Sequence, residues 1–195
     1  MPPQIESPTL VKSWSLFVRC SRMIAGTSWR RLDPTVSKCW DCRTASFRKI
    51  IRILARGVLR GLHFQWEPPM GKLMHVTRGA AFLVAVDVRG GSPTVGQWFG
   101  IEASAQNHKF VWAPAHFARG FCALTDDVEV QYLCTGLYNS KGESAVRWDD
   151  PDIGIKWPIQ PWTISEKDRK AQTLSEWLAS NDAQHFAYAI SKVGV

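Results

Sequence analysis

The chain of 195 residues has no uninterrupted apolar run near the roughly 18 residues that a membrane span requires. Its start lacks the basic residues, apolar stretch and small-residue cleavage site of a secretory signal, so a cytoplasmic location is expected. Cysteine is sparse and odd in number (Cys20, Cys39, Cys42, Cys122 and Cys134), which argues against a disulfide framework. "CWDC" at 39–42 has the spacing of half a zinc site or a redox pair. No second CxxC and no spaced histidine pair completes a ligand set, so the spacing reads as chance. Internal repeats and low-complexity tracts are absent.

Acidic residues are scarce at the start. Residues 1–60 hold 3 Asp or Glu against 12 Lys or Arg, a net +9, while residues 61–195 hold 14 against 12, a net −2. All of the chain's +7 therefore lies in its first third. The remainder has no basic excess, and nucleic acid is not expected as its partner.

Ten tryptophans point to β structure with aromatic packing. From Gly57 onward, short alternating runs are punctuated by glycine. "GVLRGLHFQ", "GQWFGIEAS" and "KFVWAP" read as strands, and "GKLMHVTRGAAFLVAVDVRGGSP" as two more around the turn "TRG". In "DVEVQYLCT", Val128, Val130, Tyr132 and Cys134 share one face. Seven or so such strands predict a β-sandwich or a jelly-roll barrel. Near the end, "SEKDRKAQTLSEWLAS" predicts one helix, opened by a capping pattern from Ser165 to Asp168 and carrying Ala171, Leu174, Trp177 and Leu178 on one side.

Four residues carry candidate chemistry, each beside a plainer reading. Alternation puts Leu62 and Phe64 on one face and Gly61, His63 and Gln65 on the other. That second face is either a polar exterior or an interior in which His63 serves as general base. Tyr132 is either core packing or a proton donor held in place. Asp168 is either a helix cap or the acceptor of a histidine ring N–H that fixes the tautomer. Lys72 is either a solvated strand end or a cation facing a developing oxyanion.

The stretches "GVLRGLHFQ", "GKL", "VAVDVRGGSPTVGQWFGIEASAQN", "WAPAHFARGF", "RWDDPDIGIKWP" and "SEKD" resemble the dTDP-4-dehydrorhamnose 3,5-epimerase family, in order and close to its spacing. The resemblance implies an all-β cupin-type jelly-roll β-barrel with a C-terminal helix, acting as a homodimer without cofactor or metal; the His-x-His…Glu…His pattern of metal-binding cupins is not evident. It implies a 4-keto sugar on thymidine diphosphate as substrate, epimerised at C3 and C5 by proton abstraction and re-addition. By carry-over, His63, Tyr132 and Asp168 would be catalytic, with Lys72 at the enolate oxygen. Arg60, Lys167 and Glu143 would contact the substrate, and Arg119 stands in "ARGF" where the family typically has a ligand-contacting histidine. Related 3- or 5-only epimerases would use the same residues, and an inactive member is the further alternative. Simple alternation puts Arg60 opposite His63, so both reach one ligand only across a bulge or strand end.

The resemblance implies a jelly-roll domain at 57–180, a tail at 181–195 and an atypical segment at 1–56. Two nucleotide-binding motifs that the family carries before "VLRGLH" are not visible, and the loop "QWEPPMGK" departs in length. Codons shifted by one base permit D-R-G-Y-F-L-E-T from Met23 onward and Q-D-N across Arg48–Ile51. Residues 15–55 are therefore expected to be an out-of-frame translation that packs poorly.

Overall fold

The computed structural model describes residues 48–188 together with two short strands, β1 (Gln4–Glu6) and β2 (Phe17–Arg19), which pair antiparallel. Cys20, Cys39 and Cys42 lie outside the described residues, as does most of the segment expected to be out of frame. Among the described residues no helix is long and apolar enough to cross a membrane.

The alternating runs form two antiparallel sheets. The first joins β3 (Arg48–Leu54), β10 (Val128–Cys134), β5 (Lys72–Arg78) and β8 (Phe110–Ala113) in that order. β3 pairs with β10 along all seven of its residues, Leu54 opposite Val128 through Arg48 opposite Cys134. In the second sheet, β4 (Val58–Gln65) lies beside β9 (Phe117–Ala123), followed by β6 (Ala80–Asp87) and β7 (Trp98–Ser104). The outer side of β4 carries two short strands, β11 (Glu143–Ala145) and the parallel β12 (Thr163–Ile164).

Neither sheet closes on itself, which corrects the expected jelly-roll β-barrel: the fold is a pair of open, facing sheets. A barrel needs an unbroken ladder of strands around its axis. Here the chain passes between sheets at sharp corners that interrupt the ladder. At the "TRG" turn, Gly79 alone separates β5 in one sheet from β6 in the other, making a corner rather than a hairpin. Its φ of +70° suits glycine, and a Cβ there would sit 2.5 Å from Thr125 Oγ1.

Two apolar layers result. Between the sheets pack Met74, Val76, Leu83, Val111, Phe121, Val128 and Val130, with Tyr132 against them. On the other face of the second sheet, Leu62, Phe64, Val84 and Val86 meet Trp177 and Phe186 from the C-terminal segment. The expected single helix is two. α1 (Glu166–Arg169) and α2 (Leu174–Ala179) are parted by Gln172, whose carbonyl accepts from Arg147 N–H at 2.9 Å and whose Nε2 donates to Ser144 Oγ at 2.7 Å. The reciprocal capping box belongs to Thr173 and Glu176, at the start of α2. A 3-10 turn, Asn181–Phe186, then buries Ala183 and Phe186, so the described start of the tail packs on the sheet.

Candidate active site

The site is organised by an irregularity in β4. Arg60 is opposite Phe121 and His63 is opposite Arg119, so three steps along β4 match two along β9. One extra residue turns Arg60 and His63 to the same side, the bulge that simple alternation lacked. Gly61 occupies it with φ +128°, and a Cβ there would lie 2.6 Å from the Cα of Gly120. The paired glycines of "RGLH" and "ARGF" thus let two backbones meet behind His63. Leu62 and Phe64 point into the outer apolar layer. His63 lies on the face between the sheets, in register with Arg119, which alternates with Phe117 and Phe121 of the inner core.

α1 brings Asp168 to this histidine. Ser165 Oγ accepts from Asp168 N–H at 3.2 Å and opens the helix, while the Asp168 carboxylate goes elsewhere: its Oδ1 lies 2.7 Å from His63 Nε2. The helix-cap reading of that carboxylate is therefore replaced by the ring contact. Asp168 is 1% exposed, and Arg60 Nη1 lies 4.0 Å from its Oδ2. Burial pushes the carboxyl pKa up, but the hydrogen bond from His63 and the positive charge of Arg60 outweigh it, leaving the group below its ordinary range. A carboxylate only accepts, so the proton of this bond sits on Nε2, and Nδ1 is left as the ring's base.

Lys72 and Tyr132 come from the opposite sheet. Lys72 Nζ lies 5.6 Å from the centre of the Tyr132 ring, and that ring packs at 6.1 Å from Phe121. Burial raises the Tyr132 pKa, so its hydroxyl stays protonated. Lys72 falls to about 8, first because burial strips water from the ammonium and then because Arg119 is positive. Arg119 itself is 4% exposed, and its Nη1 donates to Phe117 O at 2.9 Å.

Glu143 joins the site from β11. Its Oε1 accepts from both Lys167 Nζ and the Tyr138 hydroxyl, the latter at 2.6 Å. Burial pushes Glu143 up, but these two donors and the Lys167 charge hold it below the usual carboxylate range. Tyr138 was not singled out from sequence, because it lies in a loop without period. Gln65 is the tie for that loop: it donates to Leu137 O at 2.8 Å and to Pro68 O at 2.9 Å, and accepts from Asn139 N–H at 3.0 Å. Its only sequence signal was its place on the His63 face. All eight expected residues thus fall in one connected region, with Arg60 and Lys167 its exposed members.

A carboxylate-oriented histidine on one sheet, facing a protonated phenol and a cation on the other, defines a class: an acid–base site suited to moving protons at carbon beside a carbonyl. The comparisons are specific. The family model for dTDP-4-dehydrorhamnose 3,5-epimerase matches residues 37–176. The enzyme of that name from Methanothermobacter thermautotrophicus is 52% identical over 124 residues, covering 62% of this chain and 67% of that protein. For the Neisseria gonorrhoeae enzyme of the same name, identity is 50% over 123 residues, covering 63% of this chain but 38% of the relative's length. The solved dTDP-6-deoxy-D-glucose-3,5-epimerase of Legionella pneumophila Philadelphia 1, in complex with dTDP-4-keto-L-rhamnose, superposes with a TM-score of 0.73 at 31% identity, covering 96% of this chain and 90% of the other. The chain belongs to the dTDP-4-dehydrorhamnose 3,5-epimerase family, and with it to the nucleotide-sugar epimerases, a class of isomerases.

Proposed function

We propose that this chain epimerises dTDP-4-dehydro-6-deoxy-D-glucose at C3 and C5, giving dTDP-4-dehydro-L-rhamnose. One observation carries the mechanism: His63 and Tyr132 stand on facing sheets. Inversion at carbon needs a proton taken from one face and a proton returned to the other, and a base and an acid on opposite walls meet that need. The C4 carbonyl acidifies the hydrogens at C3 and C5. His63 Nδ1 takes the proton, with the ring held and its positive charge stabilised by Asp168. Negative charge gathers on the C4 oxygen beside Lys72, and the Tyr132 hydroxyl delivers a proton to the opposite side. Arg60 and Lys167, at the exposed margin, suit the diphosphate, and Glu143 positions Lys167.

The test is solvent-deuterium incorporation into the 4-keto substrate, followed by NMR. Exchange at both carbons is expected. Exchange at one carbon only would make the enzyme a 3- or 5-epimerase built on the same residues, and no exchange would make the chain an inactive member. The assembly in this reading is a cytoplasmic homodimer, for which the edge strand β3 offers Ile53, 68% exposed. Light scattering at twice the chain mass is the expected result.

A further inference from the structure

Inside the site two cations, Lys72 and Arg119, stand near each other. Among the described residues neither takes part in an ion pair, and the buried Nε of Arg119 has no hydrogen-bond partner. No nearby group among them that could carry negative charge is ion-paired with either cation, and Glu143 acts on both only across space. Burial pushes the Tyr132 hydroxyl and the Cys134 thiol up, so both are neutral, and Glu143 is committed to Lys167 and Tyr138. A guanidinium left unpaired in an apolar interior costs stability unless a partner arrives. Such an arrangement is retained when the partner is a charge that exists only with the ligand, or only during its reaction.

The position of Arg119 separates these two cases. A diphosphate carries its charge permanently and remains hydrated, which suits Arg60 and Lys167, whose side chains are 42% and 56% exposed. Arg119 instead lies in the wall between Phe117 and Phe121, directly across the strand pair from His63. That places it beside the base that creates the new charge. A histidine here, buried next to Lys72, would favour its neutral form; an arginine keeps its charge and presents a fork of donors.

We propose that Arg119 is a catalytic residue of this chain, its guanidinium sharing with Lys72 the oxygen that becomes negative when the base removes the sugar proton. The proposal rests on the epimerase reading above. It makes the replacement of histidine in "ARGF" a gain of fixed positive charge at the reacting centre, and it explains why Nε is buried and unbonded before substrate arrives.

The experiment compares the wild-type chain with Arg119→Met by deuterium exchange at saturating substrate, calorimetric titration with dTDP, and thermal melting. The variant is expected to melt no lower than wild type, since it removes an unpaired buried charge. It should bind dTDP within about twofold and lose about 10²-fold in exchange rate, the usual effect of removing one oxyanion donor. An unchanged rate at saturation, or a raised KM together with weakened dTDP binding, would make Arg119 a ground-state contact and overturn the proposal. Should Arg119→Met fail to fold, Arg119→Gln, which keeps a donor for Phe117 O, is judged by the same criteria. A wild-type chain that binds dTDP but exchanges nothing defeats the epimerase reading, and this proposal with it; wild-type exchange with an indifferent variant defeats this proposal alone.

Discussion

His63 Nε2 and Asp168 Oδ1 meet at 2.7 Å although 105 residues separate them in the chain. The contact fixes which ring nitrogen is free, and therefore which one can act as base. Asp168→Asn keeps the shape but gives the ring a partner that can also donate, so the tautomer is no longer fixed. The expected loss in exchange rate is on the order of 10³-fold with dTDP binding retained. The pair also bears on stability. The folded Asp168 pKa is depressed, so its contribution is present above the ordinary carboxylate value and is lost as pH falls through the folded one. Melting curves taken down through the acid range should therefore fall more steeply for wild type than for Asp168→Asn.

Gly61→Ala tests the bulge. The substitution puts a methyl group 2.6 Å from the Gly120 Cα at a φ of +128°, where backbone rather than a flexible side chain must yield. A loss of about 3 kcal/mol is expected from urea unfolding. Exchange should fall as well in whatever folds, because the bulge is what turns Arg60 and His63 to one side.

The bulge also marks the limit of what the sequence disclosed. Alternation placed Leu62 and Phe64 together and His63 apart from them, as found, because a period of two survives within a strand. It could not supply the register shift between β4 and β9, which depends on a partner strand some 60 residues away. The same holds for the open sheets: strand patterns report which face is apolar, not whether edges join. The helix expected across 165–180 was misread because the apolar spacing of Ala171, Leu174 and Trp177 continues through a stretch whose backbone is claimed by β-type pairing between Val146 and Gln172. Asp168 fitted a cap by spacing alone, yet its carboxylate was required by His63.

The coding DNA decides the status of the first third. If residues 15–55 are out of frame, the one-base-shifted codons from Met23 spell D-R-G-Y-F-L-E-T and those across Arg48–Ile51 spell Q-D-N. Restoring that frame should then tighten dTDP binding, measured by calorimetry. Codons that spell neither motif would end the idea.

Trp177 anchors the outer layer. It is 1% exposed, lies 4.6 Å ring-to-ring from Phe64, and donates from Nε1 to Val88 O at 2.8 Å. Trp177→Ala removes a large apolar group and leaves a buried carbonyl unpaired. A loss of about 3–5 kcal/mol is expected, read from the denaturant midpoint. Because Phe64 is the residue after His63, exchange in the folded fraction should also fall, whereas Leu178→Ala, on the exposed side of α2, should change neither.

Lys72 carries the sharpest pH prediction. Its pKa is brought from 10.5 to about 8, by burial first and by Arg119 second, with Cys134 and Glu143 opposing and Arg52 assisting. Above about 8 the ammonium loses its proton, and in the proposed mechanism the developing oxyanion then loses that positive charge. The kcat/KM for exchange, which follows ionisations of the free enzyme, should therefore decline as pH rises through that value, and Lys72→Met should show a lower kcat/KM without the decline. Stability moves the other way. Between about 8 and 10.5 the unfolded chain still holds the proton that the folded chain has released, so the free energy of unfolding rises with pH across that window. Lys72→Met should lack this rise. Urea titrations and exchange rates measured over the same pH range test both signs together: an alkaline decline that persists in Lys72→Met would assign it to another group, and a folded state that weakens across the window would contradict the depressed value.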